Sequence, residues 1–143
     1  MGWFNSFKID LSKCRKVTGQ ELRKIIFRSD INRAYSYRIK TFDRDYYLPT
    51  KDQIDYIMNK CPSNIYKYRP EERDCDDFAR IFRGYLSEKG YGNIALGLCT
   101  ATSGSKSHAF ILGVTNDNKI VFIEPQNDRK MDINEWIIDT LIF

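Results

Sequence analysis

Two apolar runs joined by a short polar turn place the strongest restriction on how this chain folds. The runs cover residues 108–115 and 119–125, and Asn116-Asp117-Asn118 lies between them. This pattern is typical of a β-hairpin. With a three-residue loop, paired residue numbers sum to 234, which makes His108 and Glu124 diagonal neighbours on one face. A loop of two or four residues would place Glu124 on the opposite face.

Three helix starts are expected before this hairpin. Thr18 and Thr50 each begin a capping box, with Glu or Gln three residues later. A third and longer helix is expected to begin after Asp74, to carry an apolar stripe, and to end at Gly90.

The remaining segments complete the expected fold class. Residues 93–101 alternate like a strand with one face kept small, and Asp132 is expected to cap a C-terminal helix that contains Trp136. Helices followed by strands predict an α+β fold in which N-terminal helices pack on an antiparallel sheet.

Chain length and charge suggest one domain with a basic beginning. The 143 residues are enough for one domain with a substantial core. Residues 1–44 contain 11 Lys and Arg against 4 Asp and Glu. A solvated basic surface is the favoured interpretation of this excess, and an acidic partner or a lipid surface is the alternative. The sequence has no RNA-binding signature, which argues against a nucleic acid partner.

Cysteine use and hydropathy indicate a cytoplasmic protein. No apolar run approaches the roughly 20 residues of a membrane span, and no signal peptide is visible. The four cysteines are scattered without C-x-x-C pairs, which disfavours disulfides and zinc. Reduced thiols in the cytoplasm fit this pattern best.

The single histidine and one cysteine suggest nucleophilic chemistry. Cys75 is expected in the first turn of the third helix, where the helix dipole favours a thiolate. His108 would act as the base, and Glu124 would orient its imidazole. The acids around Cys75 oppose ionisation of the thiol, because like charge raises its pKa.

The motifs around these residues resemble a known family. Asp74–Ala79 (D-C-D-D-F-A), His108–Phe110 (H-A-F) and Glu124–Asn127 (E-P-Q-N) resemble papain-like protease domains of the Marasmius oreades agglutinin type, also called agglutinin C-terminal-like domains. The resemblance covers roughly residues 45–130, and related domains occur as single-domain chains in bacteria and phages. The resemblance implies a papain-like fold and a cysteine protease (a thiol hydrolase) with Cys75, His108 and Glu124 as its catalytic triad. No lectin domain is visible in the sequence, which argues against a glycan-linked role.

A cation would offset the acids around the thiol. Asp76 and Asp77, together with Gln126 and Asn127, are candidate ligands because Ca²⁺ prefers carboxylate and amide oxygens. The resemblance also implies calcium dependence.

Three functions therefore remain open. The first is hydrolysis of amide bonds in a peptide or protein substrate. The second keeps the site but changes the reaction, as in a transglutaminase-like acyl transferase or a cell-wall amidase. The third is a non-catalytic phage or bacterial binding module on a papain-like scaffold.

Overall fold

A computed structural model describes residues 7–65, 69–70, 74–127, 129–131 and 135–143. For Asn64 and Arg129 it describes the backbone alone. Among these residues are three α-helices, eight strands and two short 3-10 helices. The elements in chain order are β1 (Arg15–Thr18), α1 (Gly19–Arg28), β2 (Arg33–Lys40), β3 (Asp45–Leu48), α2 (Lys51–Lys60), α3 (Cys75–Glu88), β4 (Leu96–Ser103), β5 (Lys106–Val114), β6 (Ile120–Glu124), β7 (Arg129–Lys130) and β8 (Ile137–Ile142). No helix in the described part of the chain is long and apolar enough to cross a membrane.

Six strands form one mixed sheet in the order β2-β8-β4-β5-β6-β7, and β1 pairs with β3 in a separate ribbon. The pairs from β8 through β7 are antiparallel, whereas β2 runs parallel to β8. The expectation of a purely antiparallel sheet was therefore wrong at this edge. The parallel pair joins residues about one hundred positions apart in sequence, and local patterns carry no information about such pairing.

The predicted helix starts are confirmed. In α1, the backbone N–H of Glu21 donates to the Thr18 hydroxyl at 3.1 Å, and the Thr18 N–H donates back to the Glu21 carboxylate at 3.3 Å. An equivalent reciprocal pair joins Thr50 and Gln53 at the start of α2. These bonds satisfy N–H groups that the first turn of a helix leaves without partners.

The predicted C-terminal helix was wrong. Residues Ile137–Ile142 form strand β8, which lies between β2 and β4 in the sheet. The segment I-I-D-T-L-I is rich in β-branched residues, which pack well on a pleated surface. The proposed cap residue, Asp132, lies outside the described residues. Apolar spacing in so short a segment did not distinguish helix from strand.

The large sheet buries a hydrophobic cluster on each face. One cluster contains Leu22 and Ile26 of α1 with Phe110 of β5, and the other contains Phe82 of α3 with Ile111 of β5. Consecutive residues of β5 thus enter different clusters, as strand alternation requires. Helix α1 therefore packs on the Phe110 face, whereas α3 packs on the Ile111 face.

Candidate functional site: a histidine–glutamate pair beside a half-buried thiol

The hairpin has the register that its sequence predicts. Strands β5 and β6 pair Ile111 with Ile123 and Leu112 with Phe122, so that each pair sums to 234. The loop is closed by the Thr115 N–H, which donates to the Lys119 carbonyl at 2.9 Å. Side chains at alternate positions from His108 and Glu124 therefore share one face of the sheet.

His108 and Glu124 are in direct contact on that face. The Nε2 atom of His108 lies 2.5 Å from Oε2 of Glu124, and both side chains are largely buried. The other carboxylate oxygen of Glu124 accepts the backbone N–H of Gln126 at 3.3 Å. Since Nε2 is engaged by Glu124, Nδ1 is the ring nitrogen that remains for another group.

Two aromatic rings flank the imidazole. The ring centroids of Phe110 and Trp136 lie 5.6 Å and 5.5 Å from that of His108. Sequence reasoning missed the position of Trp136, because it placed this residue on a helix. Its position just before β8, which lies beside β4 in the sheet, brings it to the histidine. The rings restrict the orientations of the imidazole, so His108 and Glu124 form a preorganised pair.

Cys75 is the first residue of α3, and its side chain is half-buried. Burial raises the pKa of its thiol, and the charges of Asp74 and Asp76 raise it further. The backbone N–H of Ala109 hydrogen-bonds the sulfur and lowers the pKa in part. The acids therefore oppose ionisation of the thiol as expected, although burial raises the pKa of Cys75 more than their charges do.

The structure places the sulfur of Cys75 next to the backbone of the residue that follows His108. Cys75 packs at the margin of the cluster that contains Ala109. The His108 ring lies beside that of Phe110, which belongs to the cluster on the other face. No hydrogen bond between Cys75 and His108 is found within the described part of the chain. The structure thus joins His108 directly to Glu124, and it links Cys75 to β5 through Ala109.

Three acids gather around the start of α3. Oxygen atoms of Asp74, Asp76 and Asp77 lie within 4.8 Å of one another. A hydrogen bond with Asp76 raises the pKa of Asp74 to about 6. Arg80 approaches Asp76 at 3.1 Å and Asp77 at 3.5 Å, so it supplies part of the compensating charge. Clustered carboxylate oxygens fit a hard cation such as Ca²⁺. The sequence predicts Asp76, Asp77, Gln126 and Asn127 as ligands, and the structure places Asp74 beside the first two.

Comparison with known proteins relates this fold to lectin structures. No protein-family model and no curated protein matches the chain. The structure of a PSL1a–E64 complex matches 90% of this chain with a TM-score of 0.79 and 25% sequence identity. Polyporus squamosus lectin bound to the human-type influenza-binding epitope Neu5Acα2-6Galβ1-4GlcNAc matches 90% of the chain with a TM-score of 0.76, also at 25% identity. This chain spans about half the length of each of those chains, 50% and 49% respectively.

These similarities overturn several expectations from the sequence. The fold is the mixed, sheet-rich fold of the lectin structures, so its assignment as papain-like was wrong. The assignment to the agglutinin-type protease family was wrong for the same reason, as were the expectations of a thiol hydrolase and of a peptide or protein substrate. The argument against a glycan-linked role also fails. Of the three functions left open, the non-catalytic binding module is the nearest to a lectin. The triad motif was compatible with more than one function, because residues of these types in this order do not by themselves define a reaction.

Proposed function

We propose that this chain is a carbohydrate-binding domain of the lectin type. The observation that carries the proposal is the match, over 90% of the chain, to a lectin solved with a sialylated trisaccharide. Because the chain corresponds to about half of that lectin, glycan binding by this half is the property to test.

The first expected result is direct binding of a sialylated glycan. Titration of the purified chain with Neu5Acα2-6Galβ1-4GlcNAc should shift a contiguous set of backbone amide resonances in a saturable way. An unrelated disaccharide such as sucrose is the control for non-specific effects at the same concentration. Absence of saturable shifts with the sialylated glycan would refute the proposed function.

The site around Cys75 supports a second candidate function, in which this thiol reacts with an electrophilic ligand. In this proposal Cys75 is the nucleophile, His108 the base, and Glu124 the group that orients the imidazole. The preorganised His108–Glu124 pair favours it, as does the E64 ligand in the PSL1a structure. Cys14, Cys75 and Cys99 are free thiols, which supports a reducing cytoplasmic location.

A calcium ion at the start of α3 belongs to this second proposal. Asp76 and Asp77, together with the amide side chains of Gln126 and Asn127, are its proposed ligands, with Asp74 as a further oxygen donor. A cation there would reduce the negative charge that opposes ionisation of Cys75. The carboxylate cluster supports this proposal.

Mass mapping of thiol labelling tests the reactive thiol and the cation together. E64, an epoxide that alkylates thiolates, should modify Cys75 in preference to the half-buried Cys14 and the fully buried Cys99. Added Ca²⁺ should raise the rate at Cys75 and leave the rate at Cys14 unchanged, and EDTA should reverse the effect. Equal labelling of Cys75 and Cys14 would refute the reactive thiol. A rate at Cys75 that does not respond to calcium or EDTA would refute the cation.

A further inference from the structure

We propose that the groove between α1 and β2 binds the acidic sugar of a sialylated glycan. This inference rests on the proposed glycan-binding function and assigns a location on the chain to it. The groove lies on the side of α1 that faces away from the core, and its volume is about 450 Å³.

Helical periodicity builds one wall of the groove. The residues of α1 that line it recur every three or four positions: Gln20, Arg23, Lys24, Phe27 and Arg28. The opposite side of α1 is buried through Leu22 and Ile26, which are fully inaccessible. The other wall comes from Tyr37 and Ile39 of β2, the strand at the open edge of the large sheet. The groove is thus held between two elements that the core fixes in place.

An exposed aromatic ring offers a surface for a sugar. Phe27 is 68% exposed, although the rest of this helix face is polar. The guanidinium carbon of Arg33 lies 4.7 Å from the centre of the Phe27 ring and 5.7 Å from that of Tyr37. The cation holds the two rings as one platform. The apolar face of a pyranose ring can pack on such a platform, as on other exposed aromatic surfaces.

The charge of the groove selects an acidic sugar. Three cationic side chains, Arg23, Lys24 and Arg28, line it, and no acidic side chain is among the lining residues that the structure describes. The guanidinium of Arg23 donates to the Thr41 hydroxyl at 3.0 Å and 3.3 Å, which fixes its position. Arginine binds a carboxylate through paired hydrogen bonds, and sialic acid carries a carboxylate that neutral sugars lack. The Phe27 ring and the cationic side chains of the groove together therefore favour an anionic saccharide over a neutral one.

Matched substitutions test this location. Phe27→Ser removes the platform, and Phe42→Ser is its control, because Phe42 is 71% exposed and lies outside the groove. The double variant Arg23→Gln/Arg28→Gln removes the two arginines of the groove, and Lys60→Gln on α2 controls for a lost surface charge. Dissociation constants for Neu5Acα2-6Galβ1-4GlcNAc and for Galβ1-4GlcNAc are measured for each variant, with a thermal melt as the check on folding.

We expect Phe27→Ser to weaken binding of both glycans about tenfold, because one stacking surface is lost. The double arginine variant should lose the preference for the sialylated glycan and keep its affinity for the neutral one. If both groove variants bound the sialylated glycan as tightly as the wild type, the groove would not be the binding site. The proposed function would then still hold. No glycan binding by the wild-type chain would overturn the proposed function and this inference with it. The wild-type chain could instead bind single-stranded DNA more tightly than the sialylated glycan, and the double arginine variant could lose that DNA binding. This result would overturn the sugar as the ligand and would identify the groove as a polyanion site.

Discussion

Replacing Gly97 with alanine is expected to lower the free energy of unfolding by about 1–3 kcal/mol, the usual cost of forcing an extra carbon into a packed core. Gly97 lies inside β4 and pairs with Leu112 of β5. A Cβ atom at this position would lie 2.8 Å from the carbonyl oxygen of Ile142 and 2.9 Å from the ring of Phe143. The first contact is with backbone held by strand pairing, so it cannot be relieved by rotation of a side chain.

Gly84 provides the matched control for this substitution. It lies in α3 with no atom near the position of an added Cβ. Gly84→Ala should therefore stabilise the protein by up to about 1 kcal/mol, since alanine is the better helix former. Urea unfolding followed by circular dichroism measures both variants. If Gly97→Ala were as stable as wild type, the close packing of the chain end against β4 would be wrong.

This part of the core shows what the sequence could predict and what it could not. The small residues at alternate positions in 93–101 indicated a strand with one crowded face, and Gly97 is where the end of the chain packs against it. The sequence did not identify the neighbour that crowds this face, because β8 and the parallel pairing of β2 with β8 depend on contacts distant in the chain. Local signals, such as the capping boxes and the hairpin turn, were sufficient for their own elements because both partners lie within a few residues.

The candidate site shows the same difference between local contacts, which the sequence predicts, and distant contacts, which it does not. The contact between His108 and Glu124 followed from the loop length alone, since register fixes which side chains share a face. The position of Cys75 at the start of α3 followed from the acidic residues around it. Neither observation identifies a ligand for this site. A thiol, an imidazole and a carboxylate specify available chemistry, whereas the ligand is selected by the surfaces around them. The groove beside Phe27 carried no motif, because its two walls come from elements whose packing only the folded chain shows.

Replacing Asp74 with asparagine is expected to speed alkylation of Cys75 about three- to tenfold at pH 8, which corresponds to a fall in the thiol pKa of up to about one unit. The Asp74 charge is among the groups that raise the pKa of Cys75. Asparagine removes this charge and remains a good residue for the position before a helix. The fold should therefore persist, and the rate change reports electrostatics at the sulfur.

The pH dependence of this effect follows from the raised pKa of Asp74. Hydrogen bonding with Asp76 brings that pKa to about 6, so wild-type Asp74 is ionised at pH 8 and mostly neutral at pH 5. The ratio of the variant rate to the wild-type rate should accordingly be greatest at pH 8 and approach one at pH 5. Asp52→Asn in the exposed first turn of α2 is the control, and its ratio should stay near one throughout. A ratio for Asp74→Asn that does not change between pH 5 and pH 8 would mean that the carboxylate does not act on the thiol through its charge. A ratio that falls from pH 8 to pH 5 would identify the Asp74 carboxylate as one of the charges that oppose ionisation of Cys75, and a bound cation would have to offset it.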